Sequence, residues 1–194
     1  MKYAFIYAFL CYLTGCICFG YYLTRLFAGK NLKDFGSKSL GATNASRVLG
    51  KWGFGVTLAL DFLKGYLVIW GAIRLGFSES WIFLFSLMVV AGHIWPLQLS
   101  FKGGKGVSTF GGTLMAINFM VAVPVALLLL PLYLVIRKFS IAGVFTLIII
   151  PFFFAYQDYS TPSICLNILL ILIIVYAHRQ NLRDYFQSAK DIAF

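Results

Sequence analysis

Charged residues are confined to a few short segments of this chain. Five stretches, 3–24, 80–101, 106–136, 139–157 and 159–177, contain no Asp, Glu, Lys or Arg, and a sixth, 52–73, holds only Asp61 and Lys64. A helix needs about 20 apolar residues to cross a bilayer, so gaps of this length point to a bundle of membrane spans. Soluble domains are roughly 45–50% apolar and about 25% charged. Here 61% of 194 residues are hydrophobic, 11% are charged and mean hydropathy is +0.88. A soluble core of this size cannot hide so much apolar surface, and the same composition excludes disorder. The expectation is an all-α integral membrane protein, with residues 1–194 as one membrane-embedded domain.

The gap 106–136 is too long for one ordinary span. It fits two short helices of about 15 residues with a turn near Asn118 to Pro124, for a total of seven transmembrane helices. Basic residues set the orientation. With the amino terminus outside, the inner segments are about 25–51, 102–105, 137–138 and 178–194, and they hold all the Lys and Arg except Lys2, Arg74 and Lys64. The positive-inside rule therefore puts the carboxyl terminus in the cytoplasm. Reading 106–136 as one helix would turn Arg137, Lys138 and the basic tail outward. The net charge of +10 follows from this bias and requires no nucleic-acid partner.

Leu13-Thr14-Gly15-Cys16 resembles a lipoprotein cleavage box. The chain stays apolar through Thr24, however, so a retained first span is the better reading. Cys11, Cys16, Cys18 and Cys165 all lie in apolar stretches, with no zinc-ligand spacing, and read as small packing residues.

Three polar islands interrupt the apolar pattern, and the topology puts all of them on the cytoplasmic face. The first is 35–47, where Gly36 and Gly41 allow positive φ, Ser37, Thr43 and Asn44 offer hydrogen bonds, and Arg47 can grip a phosphate with two N–H groups. The second runs from His93 to Thr109 and contains Lys102-Gly-Gly-Lys105-Gly106 ahead of an apolar helix. Glycines let successive N–H groups converge on an anion, the helix N-terminus adds its dipole, and Lys105 adds a full charge. The spacing is not that of a Walker A loop. The third is His178 to Arg183, with His178 and Asn181 on one helix face. His178 is either a proton donor or base or an interfacial cap. His93, ending the third span near Pro96, is expected to hold the glycine-rich loop. Asp61 and Lys64, at i and i+3, are expected to form a buried pair that fixes helix packing.

Gly15-Cys-Ile-Cys-Phe-Gly20, Gly41-Ala-Thr-Asn44 with Arg47, Asp61-Phe-Leu-Lys-Gly65, Gly92-His-Ile-Trp-Pro96, Phe101-Lys-Gly-Gly-Lys-Gly-Val107 and His178-Arg-Gln-Asn181 occur in this order. Together they resemble the acyl-phosphate-dependent glycerol-3-phosphate acyltransferase family (PlsY) of bacteria. The resemblance implies seven membrane helices in the inner (plasma) membrane, an active site facing the cytoplasm, and no metal or nucleotide cofactor. It implies transfer of a fatty acyl group from acyl phosphate to the 1-hydroxyl of glycerol 3-phosphate, giving lysophosphatidic acid and inorganic phosphate. Two segments depart from the family pattern. Gly36-Ser37-Lys38-Ser39 stands where the family has Gly-Ser-Gly-Asn, and Lys38 is not expected to take the positive φ that glycine takes at little cost. Ser188 and Ala189 stand near where a glycine and an acidic residue usually follow.

Two phosphate-bearing substrates need two anion sites. Acyl phosphate is assigned to amides around Gly103, Gly104 and Gly106 with Lys105, and glycerol 3-phosphate to the neighbourhood of Ser37, Asn44, Arg47, His178 and Asn181. No nucleophile–base triad is evident, which favours direct attack by the substrate hydroxyl over an acyl-enzyme. Ser37, Lys105, His178 and Asn181 are the candidate catalytic residues, and membrane lipid surrounds the acyl chain. The alternatives are an anion transporter, and a catalytically weakened relative of the same family.

Overall fold

A computed structural model describes the backbone of residues 2–192 and the side chains of residues 3–187. Among the described residues every regular element is helical. α1 (Lys2–Gly15) and α2 (Phe19–Ala28) form one interrupted span. α3 (Ala42–Arg74) is followed by α4 (Glu79–Ile94), α5 (Val107–Ile117) and α6 (Phe119–Ile136). α7 (Phe139–Leu147) and α8 (Ile150–Tyr156) form a second interrupted span, and α9 (Thr161–Ala177) leads into α10 (Arg179–Ile192).

Five segments, Tyr3–Ala28, Ala42–Arg74, Glu79–Leu99, Phe119–Ile136 and Phe139–Tyr156, are long and apolar enough to cross a membrane. α9 with the start of α10, bent by 57°, makes a sixth, and α5 is a shorter apolar helix. The gap 106–136 does divide, but unequally. The break is at Asn118, leaving 11 residues in α5 and 18 in α6. Asn118 has extended backbone and its side chain accepts from the Val121 N–H, which starts a new helix at once. Pro124 therefore lies inside α6 rather than in a turn.

The first span is not continuous either. The chain leaves helical geometry between Gly15 and Phe19, and Cys18 is extended with φ −86° and ψ 96°. The carbonyls freed there do not face lipid. Lys64 Nζ donates to Ile17 O at 2.6 Å and to Gly15 O at 3.2 Å. This satisfies groups that would otherwise each cost several kcal/mol in hydrocarbon. α3 is also bent, at Gly50 (φ 73°, ψ −163°), which separates a short helix carrying Asn44 and Arg47 from the spanning part.

Two helix pairs meet backbone to backbone. A Cβ on Gly15 would strike the Val89 carbonyl, and one on Gly92 would strike that of Tyr12, so α1 and α4 lock reciprocally. Gly65 against the Thr109 carbonyl and Gly112 against that of Phe62 do the same for α3 and α5. Small residues at helix interfaces are the usual solution where lipid supplies no hydrophobic drive. Cys11, Cys16 and Cys18 are buried in this packing, whereas Cys165 is exposed. Leu127, Leu134 and Val135 on α6 stay exposed, as a lipid-facing surface requires.

The loop between α2 and α3 carries the first polar island. Gly36 has φ 49°, but Gly41 has an ordinary φ of −87° as the residue before α3, so it does not use the freedom expected of it. Lys38 contradicts the sequence expectation directly: it adopts φ 57°. The left-handed region costs a non-glycine residue roughly 1–2 kcal/mol, and the surrounding turn, closed by Lys38 N–H to Phe35 O at 2.9 Å, imposes it. After allowance for the extra freedom of glycine in the unfolded chain, Lys38→Gly should stabilise the protein by about 0.5–1 kcal/mol. A higher Tm in detergent is the expected result, and an unchanged or lower one would show that the lysine geometry is unstrained.

Candidate active site

The three polar islands meet around one cavity of about 650 Å³. Ser37, Asn44 and Arg47 of the first, Lys105 and Gly106 of the second, and His178 and Asn181 of the third all line it. The rest of its wall is mostly apolar. It follows α5 from Gly106 to Met115, about 14 Å at 1.5 Å per residue. Val125 and Leu129 of α6 and Ile141 and Leu147 of α7 also border it. The space therefore joins a cationic region to an apolar groove.

Arg47 lies one turn beyond Asn44 on α3. Its Nη1 donates to Asn44 Oδ1 at 3.4 Å, and Gly36 leaves the room its guanidinium occupies. Asn44 itself is buried. Its Nδ2 donates to the carbonyls of Phe35 (2.9 Å), Ser39 (2.9 Å) and Leu32 (3.1 Å), while Oδ1 also accepts from the Ser37 N–H at 3.3 Å. Those bonds occupy the amide in holding the loop that presents Ser37. Asn44 therefore borders the cavity as a residue that shapes the site.

The glycine-rich loop is likewise built differently from the amide cradle that its sequence suggests. The Gly103 N–H bonds to Ile94 O and the Gly104 N–H to His93 O, both at 3.0 Å. Neither glycine lines the cavity. Gly103 fits under the His93 carbonyl and Gly104 against the His93 ring, so the two pin the loop to the end of α4. Gly106 does line the cavity, with φ 86°, as the residue that opens α5. The first amides of that helix have no intrahelical carbonyl to bond. The unbonded amides available beside Lys105 are therefore those of the first turn of α5.

Lys105 Nζ donates to Asn181 Oδ1 at 2.5 Å, and Asn181 Nδ2 donates to Ser140 Oγ at 3.0 Å. One chain of hydrogen bonds thus ties the loop to α10 and α7. Burial lowers the pKa of Lys105 to about 8. The Asp184 carboxylate opposes that shift, and Arg47 adds to it. His178 caps α9, with Nδ1 2.9 Å from the Ile174 carbonyl oxygen. That oxygen only accepts, so Nδ1 carries the proton and Nε2 keeps a lone pair.

Below the cavity, Asp61, Lys64 and His93 form a buried cluster, and Asp61 and His93 contribute to its wall. Lys64 Nζ is 2.8 Å from Asp61 Oδ1 and 2.8 Å from His93 Nδ1. The i, i+3 pair anticipated from the spacing is present. The His93 carbonyl accepts from the Gly104 N–H at 3.0 Å, so His93 does hold the loop as expected, and it also receives the Cys18 thiol at 3.6 Å.

Sequence reasoning missed Ser140, Lys138, Asp184 and the apolar wall from α6 and α7. Asp184 follows Asn181 by three residues and His178 by six, a helical spacing that could have revealed it. Ser140 sits among apolar residues with nothing to mark it. The side chains of Ser188 and Ala189 lie outside the described residues.

Residues 5–188 match the family model described as glycerol-3-phosphate acyltransferase. A glycerol-3-phosphate acyltransferase of Aquifex aeolicus (strain VF5) is 36% identical over 183 residues, 94% of each chain. Glycerol-3-phosphate acyltransferase 1 of Desulfitobacterium hafniense (strain Y51) is 36% identical over 178 residues, 92% of this chain and 88% of that one. The fold superposes on crystal structures of PlsY (YgiH), an integral membrane glycerol 3-phosphate acyltransferase. For its glycerol 3-phosphate form the TM-score is 0.90 at 32% identity, covering 95% of this chain and 92% of that one. For its lysophosphatidic acid form the TM-score is 0.87 at 31% identity, with the same coverage. With the family model spanning nearly the whole chain, and with relatives of this identity matched over most of their length, the protein belongs to the glycerol-3-phosphate acyltransferase family.

Proposed function

We propose that the chain transfers a fatty acyl group from acyl phosphate to the 1-hydroxyl of sn-glycerol 3-phosphate. The products are lysophosphatidic acid and inorganic phosphate. The observation that carries this reading is the single cavity in which Arg47 and Lys105, on separate elements, meet an apolar groove. Two cations suit two phosphates, and the groove suits the acyl chain. The protein acts as one membrane-embedded domain of seven spans, with α5 as the short one. The cavity opens to the cytoplasm of the bacterial plasma membrane, because the basic segments 25–51, 102–105, 137–138 and 178–194 share its side.

The acyl phosphate lies with its phosphate at Lys105, Gly106 and the first turn of α5, and with its chain along α5 towards Met115. Glycerol 3-phosphate lies at Ser37 and Arg47, near His178 and Asn181. Holding the two together makes the attack effectively unimolecular. The hydroxyl oxygen bonds to the carbonyl carbon, the bond from that carbon to the phosphate oxygen breaks, and phosphate leaves with the electron pair. The Lys105 charge and the helix amides stabilise the oxygen on which charge grows. Two groups can accept the hydroxyl proton: His178 through its Nε2 lone pair, and an oxygen of a substrate phosphate.

The test is phosphate release by purified protein in detergent from acyl phosphate and glycerol 3-phosphate. Lys105→Ala and Arg47→Ala should each lower kcat/KM at least ~100-fold, equivalent to ~2.7 kcal/mol of barrier. Arg47→Ala turnover within threefold of the parent would refute the placement of that residue. Solute flux in liposomes without phosphate release would assign transport instead.

The Lys105 environment also sets a pH dependence. The ammonium form prevails below about 8 and is lost as pH rises through that value. The kcat/KM profile should therefore fall on the alkaline side with a midpoint near 8. Lys105→Arg, whose guanidinium stays charged, should retain no such limb below pH 10, even at reduced activity.

A further inference from the structure

The mechanism above leaves the ring of His93 unused. We propose that His93 is a further catalytic residue, whose Nε2–H donates a hydrogen bond to the acyl-donor oxygen that gains negative charge. In this arrangement Lys64, backed by Asp61, keeps the proton on that nitrogen. The proposal rests on the acyl-phosphate reading for its substrate, but its geometry stands separately.

Both neighbours of Nδ1 are on α3. Lys64 Nζ is 2.8 Å away and Asp61 Oδ1 is 3.5 Å away. An ammonium only donates, so the nitrogen it faces must accept. The Lys64 ammonium also meets Asp61 Oδ1 at 2.8 Å and donates to the Ile17 and Gly15 carbonyls. With Nδ1 accepting, the neutral ring carries its hydrogen on Nε2. That atom lies against Gly104, where an alanine methyl would occupy its space. Glycine at this position lets the ring pack closely against the loop, beside Lys105. His93 is 2% exposed overall yet borders the cavity. A fixed neutral donor at the cavity wall acts without reorganisation during the reaction.

The two histidines of the cavity then carry opposite tautomers. His178 is protonated on Nδ1 and offers a lone pair, whereas His93 is protonated on Nε2 and offers a hydrogen.

The deciding measurement is the imidazole ¹⁵N spectrum of histidine-labelled protein in detergent at neutral pH. Only two histidines are present, and His178→Ala assigns them. His93 should show the proton on Nε2 and none on Nδ1. Lys64→Met should move that proton to Nδ1, which then faces only the Asp61 carboxylate, and kcat should fall with it. His93→Ala should lower kcat about 100-fold, with KM for glycerol 3-phosphate changed less than threefold. His93→Gln, which keeps an N–H donor, should recover at least part of that loss. A proton on His93 Nδ1 in the unmutated protein, or a His93→Ala kcat within threefold of the parent, overturns the proposal. If His93→Ala does not fold, the unmutated spectrum decides. Absence of phosphate release by the unmutated protein would defeat the acyl-phosphate reading and leave the tautomer result standing.

Discussion

The Lys64 ammonium is the contact on which the rest of this structure is hung. It meets Asp61 on its own helix, His93 on α4, and the carbonyls of Gly15 and Ile17 at the break between α1 and α2. Three of the first four helical segments therefore converge on one cation. A charge buried without partners would be driven out of the protein interior, whereas one surrounded by acceptors is tolerated and becomes specific in its geometry. The break in the first span could not survive in a membrane without such a donor, because its carbonyls would face hydrocarbon unpaired. Asp61, Lys64 and His93 are thus parts of a single solution to a backbone problem, and Asp61 and His93 also line the cavity.

Around that centre the molecule divides into a closely locked part and a looser one. Reciprocal glycine contacts hold α1 to α4 and α3 to α5 with backbones touching. These elements carry Arg47, His93, the glycine-rich loop and the start of α5. The apolar wall comes from α6 and α7, whose outer surfaces remain broadly exposed. Groups that must act on developing charge need placement within a fraction of an ångström, so they belong on the rigid part. A flexible acyl chain needs only an apolar channel, and the wall with access to lipid supplies it.

Much of this was legible in the sequence, because charge is so sparse in it. The charge-free gaps gave the spans, and the three islands that interrupt them gave the residues that converge. What was not legible has particular causes. The break after Gly15 carries no proline or polar signal, since a lysine 49 positions later satisfies it. Gly103 and Gly104 look like a phosphate cradle from their composition alone, and only the fold reveals that their N–H groups are taken by Ile94 and His93. Asn44 looks like a ligand-facing amide until its hydrogen bonds to the loop are counted. Lys38 was judged unfit for a left-handed turn on local grounds, and its neighbours overrode that preference. In each case the residue's bonding is set by its place in the fold, which its residue type and local spacing do not fix.

The distribution of charge explains how so small a chain can manage with so little conventional catalytic machinery. Arg47, Lys105 and Lys138 border the cavity, with Asp61 and Asp184 as opposing charges in its lining. Burial makes the Lys105 ammonium less stable than in water, and a dianionic phosphate arriving beside it relieves that strain. Binding therefore strengthens the positive charge that the leaving group will need. On the proposed reading, an acyl phosphate is already activated towards attack, so the site has only to orient two anions and stabilise the phosphate of one of them as it leaves. On the proposed reading, a preorganised set of cations, helix amides and fixed imidazoles serves that purpose, with direct attack by the substrate hydroxyl.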